Sequence, residues 1–119
     1  MILIPVENDE KRIAKGFRKA PMFVFIDAKN GIVIQKNYFK TEKSALFFEH
    51  FKKYNVDKLY VKDLGYKTCQ KLLTLGIKVF LIPPETLYYT HIDPNELIVL
   101  NEENAQSYCT MGHHNKESK

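Results

Sequence analysis

Four side chains near the end of the sequence could bind a metal ion: Cys109, Met111, His113 and His114. Thiolate, thioether and imidazole groups are soft or borderline donors, which suit Cu(I), Zn(II) or an iron–sulfur species. Their spacing does not match a structural zinc site, which needs four well-placed ligands. We predict Cys109, His113 and His114 as ligands of a metal, with copper or zinc as the ion. The alternative is a polar chain end that chelates metal incidentally.

A second group of side chains could bind an anion. It consists of five cations within nine residues: Lys11, Arg12, Lys15, Arg18 and Lys19. Such charges, together with free backbone N–H groups around Gly16, would hold an anionic ligand. The alternative is a solvated surface loop, because charge alone does not identify a ligand.

Composition limits the classes of protein that need to be considered. The chain has 119 residues, a formal net charge of +4 and two cysteines, which suits one compact domain without a disulfide framework. No apolar run approaches the ~20 residues of a membrane span. The short apolar start lacks a basic leader and a cleavage site, so we expect a cytoplasmic protein. The modest charge does not by itself imply nucleic acid, which we do not expect as a partner.

The elements that would position these side chains follow from the hydrophobic pattern. Apolar runs predict strands at 1–6, 22–26, 32–39, 57–62 and 77–82. Helical spacing of apolar residues predicts helices at 41–54, capped by Thr41, and at 66–75. Residues 97–100 fit either a short strand or part of a helix. We expect a domain at 1–100 and a flexible tail containing Cys and His at 101–119.

These elements predict a mixed five-stranded sheet with helices on both faces. The predicted β-hairpin is added to strands and helices that follow one another in the order β-α-β-α-β. Ligands of such sheets bind outside the carboxyl ends of the parallel strands. Those ends correspond to the loops 7–19, 62–66 and 83–91. His91 lies in the third loop and could approach a ligand, although a loop histidine bonded to backbone is the commoner case.

Four segments together resemble the dinitrogenase iron–molybdenum cofactor biosynthesis family. They are Phe-Arg-Lys-Ala-Pro at 17–21, Val-Asp-Lys-Leu-Tyr-Val at 56–61, Leu-Gly-Ile-Lys-Val-Phe at 75–80 and Cys-Thr-Met-Gly-His-His at 109–114. Family members typically have Phe-Gly-Arg-Ala-Pro in the first of these positions, and some carry a Cys/His-rich tail. Each segment is weakly specific, but their order and spacing cover nearly the whole chain.

The resemblance implies a ribonuclease H-like fold and the non-enzymatic binding or carriage of an iron–molybdenum or other metal–sulfur cluster. The proteins that donate or accept clusters in metallocofactor biosynthesis would then be the partners. Residues at the expected ligand edge become the predicted cofactor-binding set: Gly16, Phe17, Arg18, Lys19, Gly65 and His91.

The sequence departs from the family pattern at this ligand edge. Gly16 stands where a histidine often precedes the phenylalanine, and the turn at 62–65 has one glycine where the family has several. These changes favour a second hypothesis, in which a small interaction module has kept the fold and lost the cluster site.

An enzyme is the third hypothesis, and it has little support. A ribonuclease H-like nuclease needs carboxylates converging on Mg²⁺. The first strand carries none, and Asp27 and Asp63 stand at strand ends that we expect to be far apart. The chain has no phosphate-binding loop, dinucleotide-binding glycine motif or nucleophile motif. We therefore predict that the protein is not an enzyme.

Overall fold

One mixed sheet organises the chain in a computed structural model that describes residues 1–109. Its strands are β1 (Ile2–Val6), β2 (Met22–Asp27), β3 (Gly31–Lys36), β4 (Lys58–Val61), β5 (Lys78–Leu81) and β6 (Ile98–Leu100). The helices are α1 (Ser44–Phe51), α2 (Tyr66–Thr74) and α3 (Ala105–Tyr108). Short 3-10 turns lie at Lys52–Tyr54, Tyr89–His91 and Pro94–Glu96.

The strand order is β3-β2-β1-β4-β5-β6. β1, β4 and β5 are parallel, whereas β2, β3 and β6 each run antiparallel to their neighbours. The predicted parallel β4–α2–β5 unit and the β2–β3 hairpin are therefore confirmed. The prediction of five strands was wrong, because Ile98–Leu100 pairs with β5 as a sixth. Three residues are too few to show an alternating pattern in the sequence.

The helices do not lie on both faces of the sheet, which corrects the predicted arrangement. Buried residues of α1 and α2, such as Phe51 and Leu72, share one cluster with Leu3, Leu59 and Val79 of the sheet. The connections from β1 to β4 and from β4 to β5 step in the same direction along the sheet. Right-handed crossovers in one direction place their helices on one face.

The opposite face of the sheet carries a smaller cluster. Ile4, Val6 and Val24 are buried there by Ile13 and by the segment that contains Tyr89, Ile92 and Leu97. Loops cover this face only towards the carboxyl ends of the parallel strands. The remainder of the face lacks a helical layer within residues 1–109.

Residues 101–109 pack on the domain, so the predicted flexible tail does not begin at 101. An Asn101 turn leads into α3, and both Ala105 and Cys109 belong to the main cluster. They are 1% and 7% exposed respectively. Apolar side chains at these two positions, four residues apart, place one side of a helical turn against the core. Within the described residues no helix has the length and apolarity needed to cross a bilayer.

Candidate functional site

A crevice opens at the carboxyl ends of β1 and β4, where two predicted ligand loops meet. We define the crevice by the residues that line it: Gly16, Phe17, Arg18, Lys19, Asp63, Leu64, Gly65 and Thr68. Its volume is about 590 Å³. Five of the six residues predicted to bind a cofactor therefore lie together, although they come from loops separated by more than forty residues.

Phe17 anchors one wall of the crevice in the hydrophobic core. Its ring centroid lies 5.5 Å from those of Phe47 and Phe51, both edge-on, and 5.9 Å from that of Phe23. The side chain is 3% exposed. The predicted contact between this ring and a cofactor is therefore disfavoured, because the ring anchors the loop in the core.

Arg18 is held in place beside that wall. Its Nη2 atom donates a hydrogen bond of 3.1 Å to the backbone oxygen of Glu42, and its guanidinium carbon lies 5.7 Å from the centroid of the Phe47 ring. The Nε atom is buried and has no hydrogen-bond partner within residues 1–109. A guanidinium fixed beside the crevice is suited to binding an anion through its charge.

Asn37 organises the same loop, although the sequence did not single it out. Its Nδ2 atom donates to the backbone oxygens of Arg18, at 2.8 Å, and Ala20, at 2.9 Å. Its Oδ1 atom accepts a bond of 3.1 Å from the Phe39 N–H group. Asn37 is 3% exposed and is the buried polar residue of the described core. An asparagine directly after a strand signals a turn, but not that it fixes a loop seventeen residues earlier.

The N-terminus of α2 forms the facing wall. Gly65 occupies the capping position without a side-chain hydrogen bond, and the first turn contains no acidic residue. The N–H groups of a first helical turn lack partners within the helix, and their partial positive charge favours an anion. The Leu64 N–H group is already bonded to the Asp63 carboxylate at 2.9 Å.

A second basic cavity adjoins the crevice. It is lined by Arg18, Lys19, Lys40, Thr41, Glu42 and Lys43. Arg18 and Lys19 line both cavities, so their charges face a continuous basic region. Thr41 does not cap α1 as predicted, because the helix begins at Ser44 and Lys43 occupies the capping position.

The predicted cluster of five cations divides in the structure. Arg18 and Lys19 reach the crevice, whereas Lys11 lines a different cavity. The backbone N–H groups of Arg12 and Lys11 donate to the Asp9 carboxylate, at 2.9 Å each, and they hold the pKa of Asp9 below its usual value. This stretch is therefore a folded turn.

His91 lies apart from the crevice. It lines the cavity that also contains Lys11, with its ring centroid 5.5 Å from that of Tyr88. The remaining lining residues of that cavity are Asp9, Glu10, Ile34, Tyr89 and Thr90. The structure does not bring His91 together with the other residues predicted to bind the cofactor.

Cys109 is a buried thiol that is hydrogen-bonded to Cys69. Burial, together with the nearby Cys69 and Asp63, raises the pKa of Cys109 from its ordinary value of 9.0 to about 12. Burial also raises the pKa of Cys69. Because the thiolate is the metal ligand, Cys109 is not prepared to bind metal in this conformation.

His113 and His114, the other predicted metal ligands, lie outside the described residues. Within residues 1–109 no group of three or more His, Cys, Asp or Glu side chains could hold a metal ion. The two carboxylates considered for a nuclease are also separated. Asp27 ends β2 at the amino edge of the parallel strands, whereas Asp63 follows β4 at their carboxyl edge.

Comparison with known proteins relates the chain to solved structures only. No family model matches it, and no curated protein does so. The structure of PH0822 has a TM-score of 0.56 and 22% identity, over 66% of this chain and 72% of that one. A Methanocaldococcus jannaschii protein assigned provisionally as a dinitrogenase has a TM-score of 0.55 and 15% identity, over 84% of this chain and 93% of its own.

A third structure, determined by NMR, comes from Thermotoga. It is described provisionally as a NifB protein of the DUF35 family, and it has a TM-score of 0.55 and 14% identity, over 89% of this chain and 83% of its own. At these identities the likeness shows a shared fold alone. The activity of this chain has to be argued from its own residues.

Proposed function

We propose that the protein binds or carries an anionic metal–sulfur cluster, of the iron–molybdenum or a related type, in metallocofactor biosynthesis. One observation carries this proposal: the crevice joins two cationic side chains, Arg18 and Lys19, to the open N-terminus of α2. The provisional names of two structural neighbours, a dinitrogenase and a NifB protein, agree with the theme. The ribonuclease H-like classification and the cytoplasmic location belong to the same proposal.

The crevice residues fit an anionic ligand better than a bare cation. Arg18, Lys19 and the first-turn N–H groups of α2 donate hydrogen bonds, and Thr68 adds a hydroxyl group. These groups would hold the cluster by charge and hydrogen bonds to its sulfur or oxygen atoms. Direct ligation to the metal would fall to His113 and His114.

The proposed role is binding and transfer, without bond-making by the protein. The crevice is open at the surface, which allows a cargo to be exchanged with the proteins that donate or accept clusters. Asp63 also lines the crevice, and its Oδ1 atom accepts the hydrogen bond from the Leu64 N–H group.

The proposal is tested with tetrathiomolybdate, an anionic molybdenum–sulfur compound, titrated anaerobically and followed by its visible spectrum. The Arg18→Glu/Lys19→Glu variant should bind at least about tenfold more weakly, because reversing two charges beside an anion removes attraction and adds repulsion. Lys52→Glu/Lys53→Glu is the matched control, since both lysines are exposed in the turn after α1. Equal binding by the two double variants would reject the crevice as the site.

Lys19→Glu alone provides a version of this test that does not depend on the packing of Arg18. Lys19 is exposed, so its reversal should leave the thermal transition unchanged. Weaker binding by this variant supports the proposal, and unchanged binding contradicts it.

A second candidate function is a small interaction module that has kept the fold without the cluster site. Two observations favour it: the described residues offer no group of metal-ligating side chains, and the Cys109 thiol is committed to the core. Anaerobic purification followed by elemental analysis separates the candidates. A cluster carrier should contain or take up iron and molybdenum, whereas the module should bind neither metal nor tetrathiomolybdate.

A further inference from the structure

The second basic cavity extends the charged surface beside the crevice. Its volume is about 650 Å³. Two of its lining residues, Arg18 and Lys19, also line the crevice, so an occupant of this cavity lies directly beside whatever the crevice holds. Lys40 and Lys43 line the second basic cavity alone, and both are exposed.

The positive charges of this surface have no direct partners of opposite charge. Within residues 1–109 no carboxylate forms an ion pair with any of the four cations, because the ion pair of this range joins the Met1 amino group to Asp57 at the amino edge of the sheet. Glu42 is the acidic residue that lines the second basic cavity, and Asp63 is the one that lines the crevice. Four cations therefore face two carboxylates. Such a surface raises the local concentration of an anionic partner and speeds its association.

Two helices begin at this surface and add to its charge. Lys43 occupies the capping position of α1, and Gly65 occupies that of α2. Neither position makes a side-chain capping hydrogen bond, and neither first turn contains an acidic residue. The partial positive charge of both N-termini is therefore not offset locally, and it has the same sign as the charge of the cations.

An extended acidic segment of a protein fits this surface better than one small anion does. Three of the four cations are exposed lysines with long, flexible side chains. They are distributed over two connected cavities, of which the second alone measures about 650 Å³. A chain that carries several carboxylates can meet these cations separately, whereas a single phosphate or sulfate group cannot contact all of them.

Single-stranded nucleic acid fits the surface less well than an acidic protein segment. Proteins that bind single strands combine cations with aromatic rings on which the bases stack. Phe17 lines the crevice but is 3% exposed, because its ring is packed in the core. The exposed ring of Tyr38 lines neither cavity, and the Phe39 ring is stacked on His50 with centroids 4.2 Å apart.

We propose that the second basic cavity is the docking surface for an acidic segment of the protein that donates the cluster to the crevice or accepts it from there. This inference rests on the proposed function, because a carrier must meet its partner beside the site that holds the cargo. Lys40 and Lys43 bind the segment. Arg18 and Lys19 lie between the segment and the crevice.

A fluorescein-labelled peptide of alternating glutamate and glycine tests the docking surface. It is titrated with the full chain, without any cluster, and followed by fluorescence anisotropy at low ionic strength. Lys40→Glu/Lys43→Glu should raise the Kd at least about tenfold, because the reversed charges repel the peptide. Lys52→Glu/Lys53→Glu changes the net charge equally at exposed positions after α1, and it should alter the Kd by less than about threefold. Circular dichroism should confirm that both variants fold.

Glu42→Gln provides a test in the opposite direction. It removes the acidic side chain that lines the second basic cavity and keeps the backbone oxygen that accepts the hydrogen bond from Arg18. The variant should therefore bind the peptide more tightly than the wild type. Unchanged or weaker binding would overturn the proposal, as would an equal loss of binding in the two double-lysine variants. Oligothymidylate that binds Lys40 and Lys43 more tightly than the peptide does would assign the surface to nucleic acid instead.

Tetrathiomolybdate separates this inference from the proposed function. Lys40→Glu/Lys43→Glu should bind that compound within about threefold of the wild type, since neither lysine lines the crevice. A wild-type chain that binds the peptide but not tetrathiomolybdate would keep the docking surface and reject the cluster. A chain that binds tetrathiomolybdate but not the peptide would keep the cluster site and overturn the docking surface.

Discussion

The side-chain amide of Asn37 donates a partly buried hydrogen bond of 2.8 Å to the backbone oxygen of Arg18. A residue at the end of the hairpin thus fixes the loop that supplies one wall of the crevice. The loop itself contains little regular structure, and its order depends on this amide and on the Phe17 ring below it. The position of the cations at the crevice is therefore set by two residues that carry no charge.

Replacing Asn37 by alanine should disturb the crevice without removing any of its charges. The backbone oxygens of Arg18 and Ala20 would lose their donors, and a buried acceptor without a partner costs roughly 1–3 kcal/mol. We expect a loss of this size in urea unfolding, together with weaker binding of tetrathiomolybdate. Asn95→Ala, an exposed asparagine in the 3-10 turn before β6, is the control. Stability equal to that of the control would show that the loop keeps its conformation without the Asn37 hydrogen bonds.

Phe51→Ala should remove a central part of the core. Phe51 is 1% exposed and contacts Phe17, Phe47, Phe48 and Tyr54 through ring centroids 5.5 to 6.2 Å apart. Large-to-small aromatic changes in a core cost about 3–5 kcal/mol. The free energy of unfolding from a denaturant titration measures this loss. Leu46→Ala on the same helix, where Leu46 is 47% exposed, should change it little.

The core and the parallel strands could be predicted from sequence because burial leaves a local pattern. Phe47, Phe48 and Phe51 recur at helical spacing, and all three are buried as that spacing indicates. The distribution of helices over the two faces was not predictable in the same way. It depends on the spatial order of the strands in the sheet, in which β1 lies between the β2–β3 hairpin and β4.

The crevice illustrates the same division between local and long-range information. The rule that ligands bind at the carboxyl ends of parallel strands brought together Arg18, Lys19 and Gly65. Asn37 escaped notice because its partners lie seventeen and nineteen residues away in sequence. His91 was misplaced because the loop after β5 turns over the other face of the sheet and packs Tyr89 and Ile92 there.

Gly76→Ala should destabilise the fold through the backbone alone. Gly76 follows α2 with a φ of +82°, a conformation that residues with a Cβ atom adopt at a cost. We expect a loss of about 1 kcal/mol in the free energy of unfolding. Gly16→Ala and Gly65→Ala are matched controls, since neither glycine has a positive φ and a Cβ there meets nothing closer than 3.9 Å. Equal effects at all three positions would contradict this explanation.

The two thiols should make stability fall at high pH. The pKa of Cys109 is about 12 in the folded chain against an ordinary value of 9.0, so folding favours the neutral thiol. A raised pKa gives a contribution that is complete below pH 9 and is lost as the pH rises from about 9 towards 12. The free energy of unfolding should therefore decrease more steeply over that range in the wild type than in Cys109→Ala. A reagent specific for thiolates should react slowly with the folded chain and rapidly in denaturant. Parallel pH slopes for the two proteins would refute a role for this thiol.

The final prediction assigns soft-metal binding to the histidine pair rather than to Cys109. His113→Ala/His114→Ala should abolish stoichiometric binding of zinc by chain prepared without metal columns. His91→Ala, at an exposed loop position, should retain it. Binding in the wild type should weaken as the pH falls through about 6.5, because protonated imidazole cannot ligate a metal. Cys109 enters the ligand set only if it leaves Cys69 and the core, so Cys109→Ala should lower stability and leave zinc stoichiometry unchanged. For the same reason a deletion beginning at 108 would remove the core residue Cys109 together with the histidines. A deletion beginning at 110 would remove the histidines and keep Cys109. Zinc content that is unaffected by the double histidine substitution would show that these residues are not the ligands.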